Sequence, residues 1–419
     1  MELNEIKQKV LENIDTKEIV NLLSEAVKRQ SICEEEGAER ETANFFADFW
    51  KEIHLDTKIV EVERNRPNIH GTLEGAGEGP TLMFGGHLDT EPIPSPEKWT
   101  HDPLSGDVDW EGGWIYGLGT ANMKQGIAAF SGAVHAIIKA GIKLKGKLIL
   151  TGWMNEVGGD IGSRYMADHG PLPDICVIGE PTNCEILTTH TGAIDFTITT
   201  KGIPTHIGDR FTKKPGFEGI NAFDKMMKVI KELKDIRKTF TYHRHPTIGD
   251  PVINVGNVKT EIVGKGLRPA LSPYACKADF DMRYVPGMSV ESIIKDIKKV
   301  FLDIWVEDRD FDAELYVWPR SYNLRPAETS REEPIVKAVA KAHREVFGEE
   351  VTFADEDAPY RYYWTDACVL SGILKIPTIN YGPAGGETVV RPDERVNINQ
   401  LINAAKVYAL TALETCGVL

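Results

Sequence analysis

Apolar residues recur along this chain in two rhythms. Residues 80–86 (PTLMFGG), 146–154 (GKLILTGWM) and 174–179 (DICVIG) are short, nearly continuous apolar runs. Such runs mark strands buried on both faces. Between the first two, Ile127, Phe130, Val134, Ile137 and Ile138 recur at helical spacing from Asn122 to Ala140, with Gly141 placed to end the helix. Strands that alternate with helices predict a doubly wound α/β sheet.

Near Gly192 the texture changes. IDFTITTKG alternates like a half-buried strand, a helix is expected near 216–235, INVGNVKTEIV and ACKADFDMRYV read as strands, and SVESIIKDIKKVFLDI reads as a helix. That order predicts a small α+β sandwich inserted into the larger domain. After Arg320 the α/β texture returns, with a helix near 334–346, the strand IPTINYG and a closing helix over about 398–414. The expected layout is a split α/β domain at 1–192 and 320–419, with an inserted lid at 193–319. No internal repeat or low-complexity tract interrupts it.

The 419 residues are 42% hydrophobic and 26% charged, enough for a sizeable core in two or three domains. The net charge of −15 argues against nucleic acid or an anionic membrane as partner, since phosphate binding needs basic patches. The first twenty residues mix charges throughout, so no secretory leader is expected, and no apolar run approaches the roughly 20 residues of a membrane helix. Cys33, Cys176, Cys184, Cys276, Cys368 and Cys416 show no C-x-x-C spacing. They read as reduced thiols of a cytoplasmic protein, not as a zinc–thiolate site.

Ligands of open α/β sheets bind beyond the carboxyl ends of the strands. Four polar clusters fall there: His87 and Asp89 in GGHLDT, Asn155 and Glu156 in MNEVGG, Glu180 in IGEPT, and YGPAGGETVVRPDE after Tyr381. Asn122 stands at the mouth of the helix above, where an N-cap is the ordinary role. A lone H-x-D is most often a hydrogen-bonded pair. The convergence of His87, Glu156 and Glu180 at one sheet edge favours a metal-derived site instead, because imidazole and carboxylate suit Zn²⁺ or Mn²⁺. Asp89 is then placed to orient His87 from behind.

The ordered series GGHLDT, a linker with Trp99, Asp102, Pro103 and Gly106, IYGLGTANMKQG, NEVGG, GEPT, Thr205–His206 and DMRYVPG resembles the co-catalytic zinc metallopeptidase family. That family includes acetylornithine deacetylase, succinyl-diaminopimelate desuccinylase, aminoacylase and glutamate carboxypeptidase. The resemblance implies a catalytic domain like that of zinc aminopeptidases and a lid that commonly mediates dimerisation. It also implies roles. His87 matches a ligand of one zinc, Asp89 the aspartate that orients it, and Glu180 that zinc's other terminal carboxylate. Glu156 matches a ligand of the second zinc.

Three positions depart from the family. Asn122 stands where it has the bridging aspartate, Asn155 where it has the general-base glutamate, and Val390, four residues before Glu394, where it has the last histidine ligand. An amide brings no charge to hold two cations together, and valine cannot ligate. The expectation is at most one ion per subunit, Zn or else Mn or Co, or none, with Glu387, Asp393 or Glu394 the residues that could replace the missing ligand. Three readings stay open: an amide hydrolase on one metal with Glu156 as base, a changed reaction such as acyl transfer, cyclisation or isomerisation, and a non-catalytic binder. The substrate expected is a small N-acyl amino acid or dipeptide-like carboxylate.

His206, in IPTHIGDR, matches the lid histidine that in dimeric relatives reaches the partner's site and steadies the oxyanion. Arg268, in GKGLRPALSP, lies near the family's carboxylate-binding lid residue, a task suited to a guanidinium fork. A homodimer through the lid is expected. Lys124 reads as structural, paired with nearby carboxylates, and PYRYYWTDA (359–367) reads as core.

Overall fold

A computed structural model of the chain describes residues 2–33, 35, 37–211, 218–263, 269–354, 360–385 and 388–419. It forms two compact units, Met1–His190 with Ala327–Leu419, and Thr191–Pro326. The first unit opens with helices α1 (Leu3–Glu12), α2 (Thr16–Val27) and α3 (Arg40–Glu52) and the strands β1 (Asp56–Glu63) and β2 (Arg66–Leu73). Then come β3 (Leu82–His87), the short β4 (Val108–Asp109) and β5 (Trp114–Tyr116), α4 (Lys124–Lys139), β6 (Leu148–Trp153), α5 (Ile161–His169), β7 (Ile175–Ile178) and β8 (Thr189–His190). The second unit holds β9 (Gly192–Lys201), α6 (Ile207–Arg210), α7 (Ala222–Lys234), α8 (Ile236–Thr239), β10 (Val252–Glu261), β11 (Ala275–Tyr284), α9 (Val290–Glu307) and β12 (Ala313–Val317). The chain returns to the first unit with β13 (Ala327–Glu328), α10 (Pro334–Phe347), α11 (Ala367–Leu370), β14 (Thr378–Asn380), β15 (Arg395–Asn397) and α12 (Ile398–Cys416).

The central sheet has the order β1-β2-β6-β3-β7-β14 and is mixed. β3 runs parallel to β6 and β7, and β14 parallel to β7, while β2 pairs antiparallel with β1 and β6. Both faces are covered, and side-chain alternation shows it. Leu82, Phe84, Leu148, Leu150 and Val177 join a core with α2, α4, α10 and α12. Their neighbours Met83, Ile149, Cys176 and Ile178 join a second core with Met166 of α5 and Ala367 and Leu370 of α11. Strands buried on both faces have no polar side to alternate with, which is why they read as continuous apolar runs.

In the second unit β10-β11-β9-β12 form an antiparallel sheet. α7 starts at Ala222, where the Asn221 side chain accepts from the N–H groups of Phe223 and Asp224, and α9 starts at a capping box between Ser289 and Ser292. The unit's core is its own: Phe196 stacks on Phe280 at 4.9 Å, and Met226, Val229, Ile293 and Ile297 are buried. Among the described residues no helix is long and apolar enough to cross a membrane. None of the six cysteines is in a disulfide.

Candidate functional site

β3, β6 and β7 are parallel, so their carboxyl ends lie at one edge of the sheet and deliver His87, Asn155–Glu156 and Glu180 together. The glycine pair before His87 permits this. A Cβ at Gly85 would lie 2.1 Å from the Trp153 ring, and one at Gly86 would lie 2.3 Å from Met123. His87 itself is fully buried. Its Nδ1 lies 2.9 Å from the carbonyl oxygen of Asp89 and 3.5 Å from the Asp89 carboxylate. A carbonyl can only accept, so Nδ1 carries the hydrogen. That leaves Nε2 facing Asn122 Oδ1 at 3.2 Å, and Glu156 Oε2 and Glu180 Oε1 at 3.7 Å each.

The Asp89 carboxylate is spent mainly on the next strand's loop. It accepts from the backbone N–H groups of Glu156 and Val157, both at 3.1 Å. Asn155, one residue earlier, has φ +57°, a left-handed conformation that asparagine tolerates better than most residues. Its N–H donates to Glu39 Oε1 at 3.1 Å. Its side chain lies over Gly158, where a Cβ would come within 2.0 Å of Asn155 Oδ1. The loop is thus held by two buried carboxylates and needs glycine at 158.

Asn122 does not cap α4. Met123 occupies that position, and the Asn122 amide oxygen faces His87 instead. The segment that carries it is held by Glu394, whose Oε1 accepts from Gly119, Ala121 and Asn122 N–H groups at 2.9, 2.9 and 3.1 Å. Lys124 is buried and donates to the carbonyls of Ala26 and Arg29 at 3.0 and 2.7 Å, so its partners are backbone oxygens, and burial pulls its ammonium down to about 7. Val390 is 40% exposed on a turn. The residues expected to compensate for it are engaged elsewhere. Asp393 accepts from Thr100 N, Thr100 Oγ1 and His101 N at 2.7, 2.8 and 3.1 Å, and Glu394 is the loop anchor. Glu387 lies outside the described residues.

Electrostatically the cluster is a buried acid excess around one imidazole. Burial alone would lower the His87 pKa, but Glu156, Asp89 and Glu180 raise it well above the ordinary value. Burial pushes Glu156 well up, and pushes Glu180 up to about 7 against the pull of His87. Two further acids sit close behind. Asp160 and Asp366 are fully buried, with no hydrogen-bond donor of good geometry on either carboxylate, although Ser163 lies near enough to Asp366 to hold it down somewhat. Burial raises Asp160 strongly and lifts Asp366 to about 7.

The donor chemistry does not suit a two-ion centre. Asn122, expected at the bridging position, is an amide; Val390, expected at the final ligand position, is exposed; and the nearby Asp393 and Glu394 are committed. Among the described residues no three or more His, Cys, Asp or Glu side chains are grouped to hold an ion. A single ion of the zinc class would find His87 and Glu180 as ligands of the right type, with the Asn122 carbonyl as a neutral third.

The structure brings together His87, Asp89, Asn122, Asn155, Glu156 and Glu180. His206 belongs to the second unit, where it is exposed and its Nδ1 accepts from Gly208 N–H at 3.1 Å, capping α6. Arg268 lies outside the described residues. Sequence reasoning missed Glu39 and Asp160, and placed Asp366 in ordinary core. Spacing along the chain signals neither, because Glu39 meets Arg66 and Asn155, and Asp160 meets Asp366 and Glu156, only in the folded protein.

The family pattern described as Peptidase family M20/M25/M40 matches residues 83–414. Acetylornithine deacetylase of Aliivibrio salmonicida is 27% identical over 353 residues, 83% of this chain and 84% of that one. N-formyl-4-amino-5-aminomethyl-2-methylpyrimidine deformylase of Halalkalibacterium halodurans is 24% identical over 387 residues, 89% and 88% of the two chains. The solved structure of a di-peptidase from Saccharomyces cerevisiae superposes with a TM-score of 0.75 at 14% identity, covering 99% of this chain and 98% of that one. At that identity the likeness is one of fold.

Proposed function

The chain belongs to peptidase family M20/M25/M40, and from that membership we propose that it hydrolyses the amide bond of a small, carboxylate-bearing N-acyl amino acid or dipeptide-like substrate, with at most one metal ion per subunit. The observation that carries this reading is the pair of carboxylate oxygens, Glu156 Oε2 and Glu180 Oε1, each 3.7 Å from His87 Nε2. The named relatives are a deacetylase and a deformylase, both cleaving an acyl group from nitrogen.

Within that reading the residues divide the work. His87 and Glu180, with the Asn122 carbonyl, would hold a Zn ion, or Mn or Co, which when bound polarises the scissile carbonyl. Glu156 has no second ion to ligate, and burial raises its pKa, which makes its carboxylate form the stronger proton acceptor, so that form takes the proton from the attacking water in place of the missing residue-155 carboxylate. Asp89 holds the 156–157 amides and keeps Glu156 facing His87. Asn155 contributes an amide to the substrate pocket. Arg268 takes the substrate carboxylate, and His206 of a second copy steadies the oxyanion, so the protein works as a homodimer through its second unit. Mostly buried thiols outside any disulfide support a cytoplasmic setting.

The test is release of free amine from a panel of N-acyl amino acids and dipeptides, with and without chelator and added Zn²⁺. Amine release that chelator abolishes is the expected result. A product that retains every substrate atom would overturn hydrolysis in favour of a changed reaction, and tight binding without turnover would overturn it in favour of a binder. Light scattering showing only a 46.6 kDa species at micromolar concentration would remove the partner role of His206.

A further inference from the structure

Glu39 is the N-cap residue of α3, yet its carboxylate makes no hydrogen bond to that helix. A carboxylate there ordinarily satisfies the helix's own first N–H groups. This one is fully buried and turns away, to a residue 116 positions later: Oε1 accepts the Asn155 N–H at 3.1 Å. Arg66 of β2 neutralises it, with Nε 2.8 Å from Oε2 and Nη2 on Oε1. The same guanidinium reaches the carbonyl of Cys33 at 3.4 Å.

We propose that Glu39, paired with Arg66, is a positioning residue that fixes Asn155 and thereby aims Glu156 at the His87 cluster. A buried ion pair can usually be replaced by apolar residues without loss of stability, so stability alone gives no reason for this one. What an apolar pair cannot supply is an acceptor for the Asn155 N–H, at a backbone turned to φ +57°. The next two amides, of Glu156 and Val157, go to Asp89. Three consecutive N–H groups are therefore held by two buried carboxylates from separate parts of the chain. Glu39 supplies the first, and removing it frees the loop at the residue just before Glu156. Displacements of about an ångström in a reacting group cost of the order of a hundredfold in rate. The kinetic half of this inference rests on the hydrolase reading above, and the geometric half does not.

Two paired variants separate the acceptor from the charge. Glu39→Leu/Arg66→Met removes both, and Glu39→Gln/Arg66→Met removes the ion pair while keeping an amide oxygen for Asn155. Backbone amide exchange over residues 154–158 is expected to rise about tenfold or more in the Leu/Met protein, with β6 and β7 unchanged, and to return towards wild type in the Gln/Met protein. With an N-acyl amino acid substrate, kcat is expected to fall in the first variant with KM unchanged, and to recover in the second. Equal behaviour of the two variants overturns the proposal, as does a rise spread evenly through β6 and β7. Should the Leu/Met protein not fold, Glu39→Gln alone, which keeps an amide oxygen for Asn155 and leaves Arg66 beside Glu63, is expected to keep wild-type exchange at Asn155, and a tenfold rise there overturns the proposal. If wild type releases no amine from any substrate, the hydrolase reading fails, and the exchange data alone decide the role of Glu39.

Discussion

The carboxylate of Glu394 lies against the backbone of Asn122, with Oε1 3.1 Å from the Asn122 nitrogen, and the same oxygen receives the N–H groups of Gly119 and Ala121. One buried oxygen with three donors folds the segment that presents Asn122 to His87. Hydrogen bonds to a charged group contribute about 1.5–3 kcal/mol each, and donors left bare in a buried site cost more. Glu394→Ala is therefore expected to destabilise the protein by about 3 kcal/mol or more, read by thermal or urea denaturation. A change below about 1 kcal/mol would show that other donors and water take over the loop.

Metal content follows from which side chains are free to ligate. With Asn122 neutral, Val390 exposed, and Asp393 and Glu394 bound to backbone N–H groups, elemental analysis after dialysis is expected to return no more than one equivalent per chain. His87→Ala should remove whatever is bound. Two equivalents in the wild type would restore the ordinary two-ion arrangement and sink the single-ion reading.

In the proposed hydrolysis Glu156 serves as base, since residue 155 is an amide. Replacing it by glutamine keeps its size and removes its ability to take a proton. A general base contributes about 10²- to 10⁴-fold, so Glu156→Gln should lower kcat by that factor with folding intact. Retention of more than a tenth of the rate would move the base elsewhere.

A pH response is expected far from the cluster, where Lys7 of α1 is clasped by Glu345 of α10 at 2.8 Å and by Glu414 of α12 at 2.5 Å, and Lys341 joins Glu414 at 2.8 Å. Burial works against the Glu414 carboxylate, but the two lysines outweigh it and hold its pKa below the ordinary 4.5. A depressed carboxylate stabilises the fold above its unfolded pKa, and that contribution disappears as pH falls through the folded value. Lys7 is raised above 10.5 despite burial, so its share is present below that pH and disappears as pH rises past the folded value. Lys7→Met should accordingly cost stability at pH 7 and much less near pH 2, well below the ordinary carboxylate range, measured as a difference in Tm at each pH. An equal difference at both pH values would mean that lost packing of the lysine stem, not charge, is being measured.

Much of the frame was legible because buried parallel strands announce themselves. The runs ending at Gly86, Met154 and Gly179 mark the strands that end at His87, Trp153 and Ile178, and the polar residues just beyond them are those the fold gathers. Asn122 carries two readings in the sequence, an ordinary cap and the family's bridging position, and only the first fails. An asparagine before a helix suggests a cap, but here the helix begins one residue later and the amide faces an imidazole. Glu39, Asp160 and the anchoring role of Glu394 were not legible. Each acts on backbone N–H groups or other acids brought near only by the finished sheet, and backbone donors leave no trace in residue identity. The same holds for Asp393, whose bonds to Thr100 and His101 explain why it is not free to ligate.

The bond from Glu394 to Gly119 joins residues 275 positions apart. During synthesis the strands at 82–178 and their helix have emerged long before Glu394 exists, so the frame of the pocket precedes its last clamp by more than half the chain. Domains form largely as they leave the ribosome, but a contact this distant must wait for its second partner. A Glu394→Ala chain, which keeps α10 and α12 over the sheet, should protect the strands at 82–178 from protease while leaving the 117–123 segment open to cleavage. The segment that presents Asn122 is thereby left without its clamp until Glu394 has been made, and a chain cut before that residue lacks it.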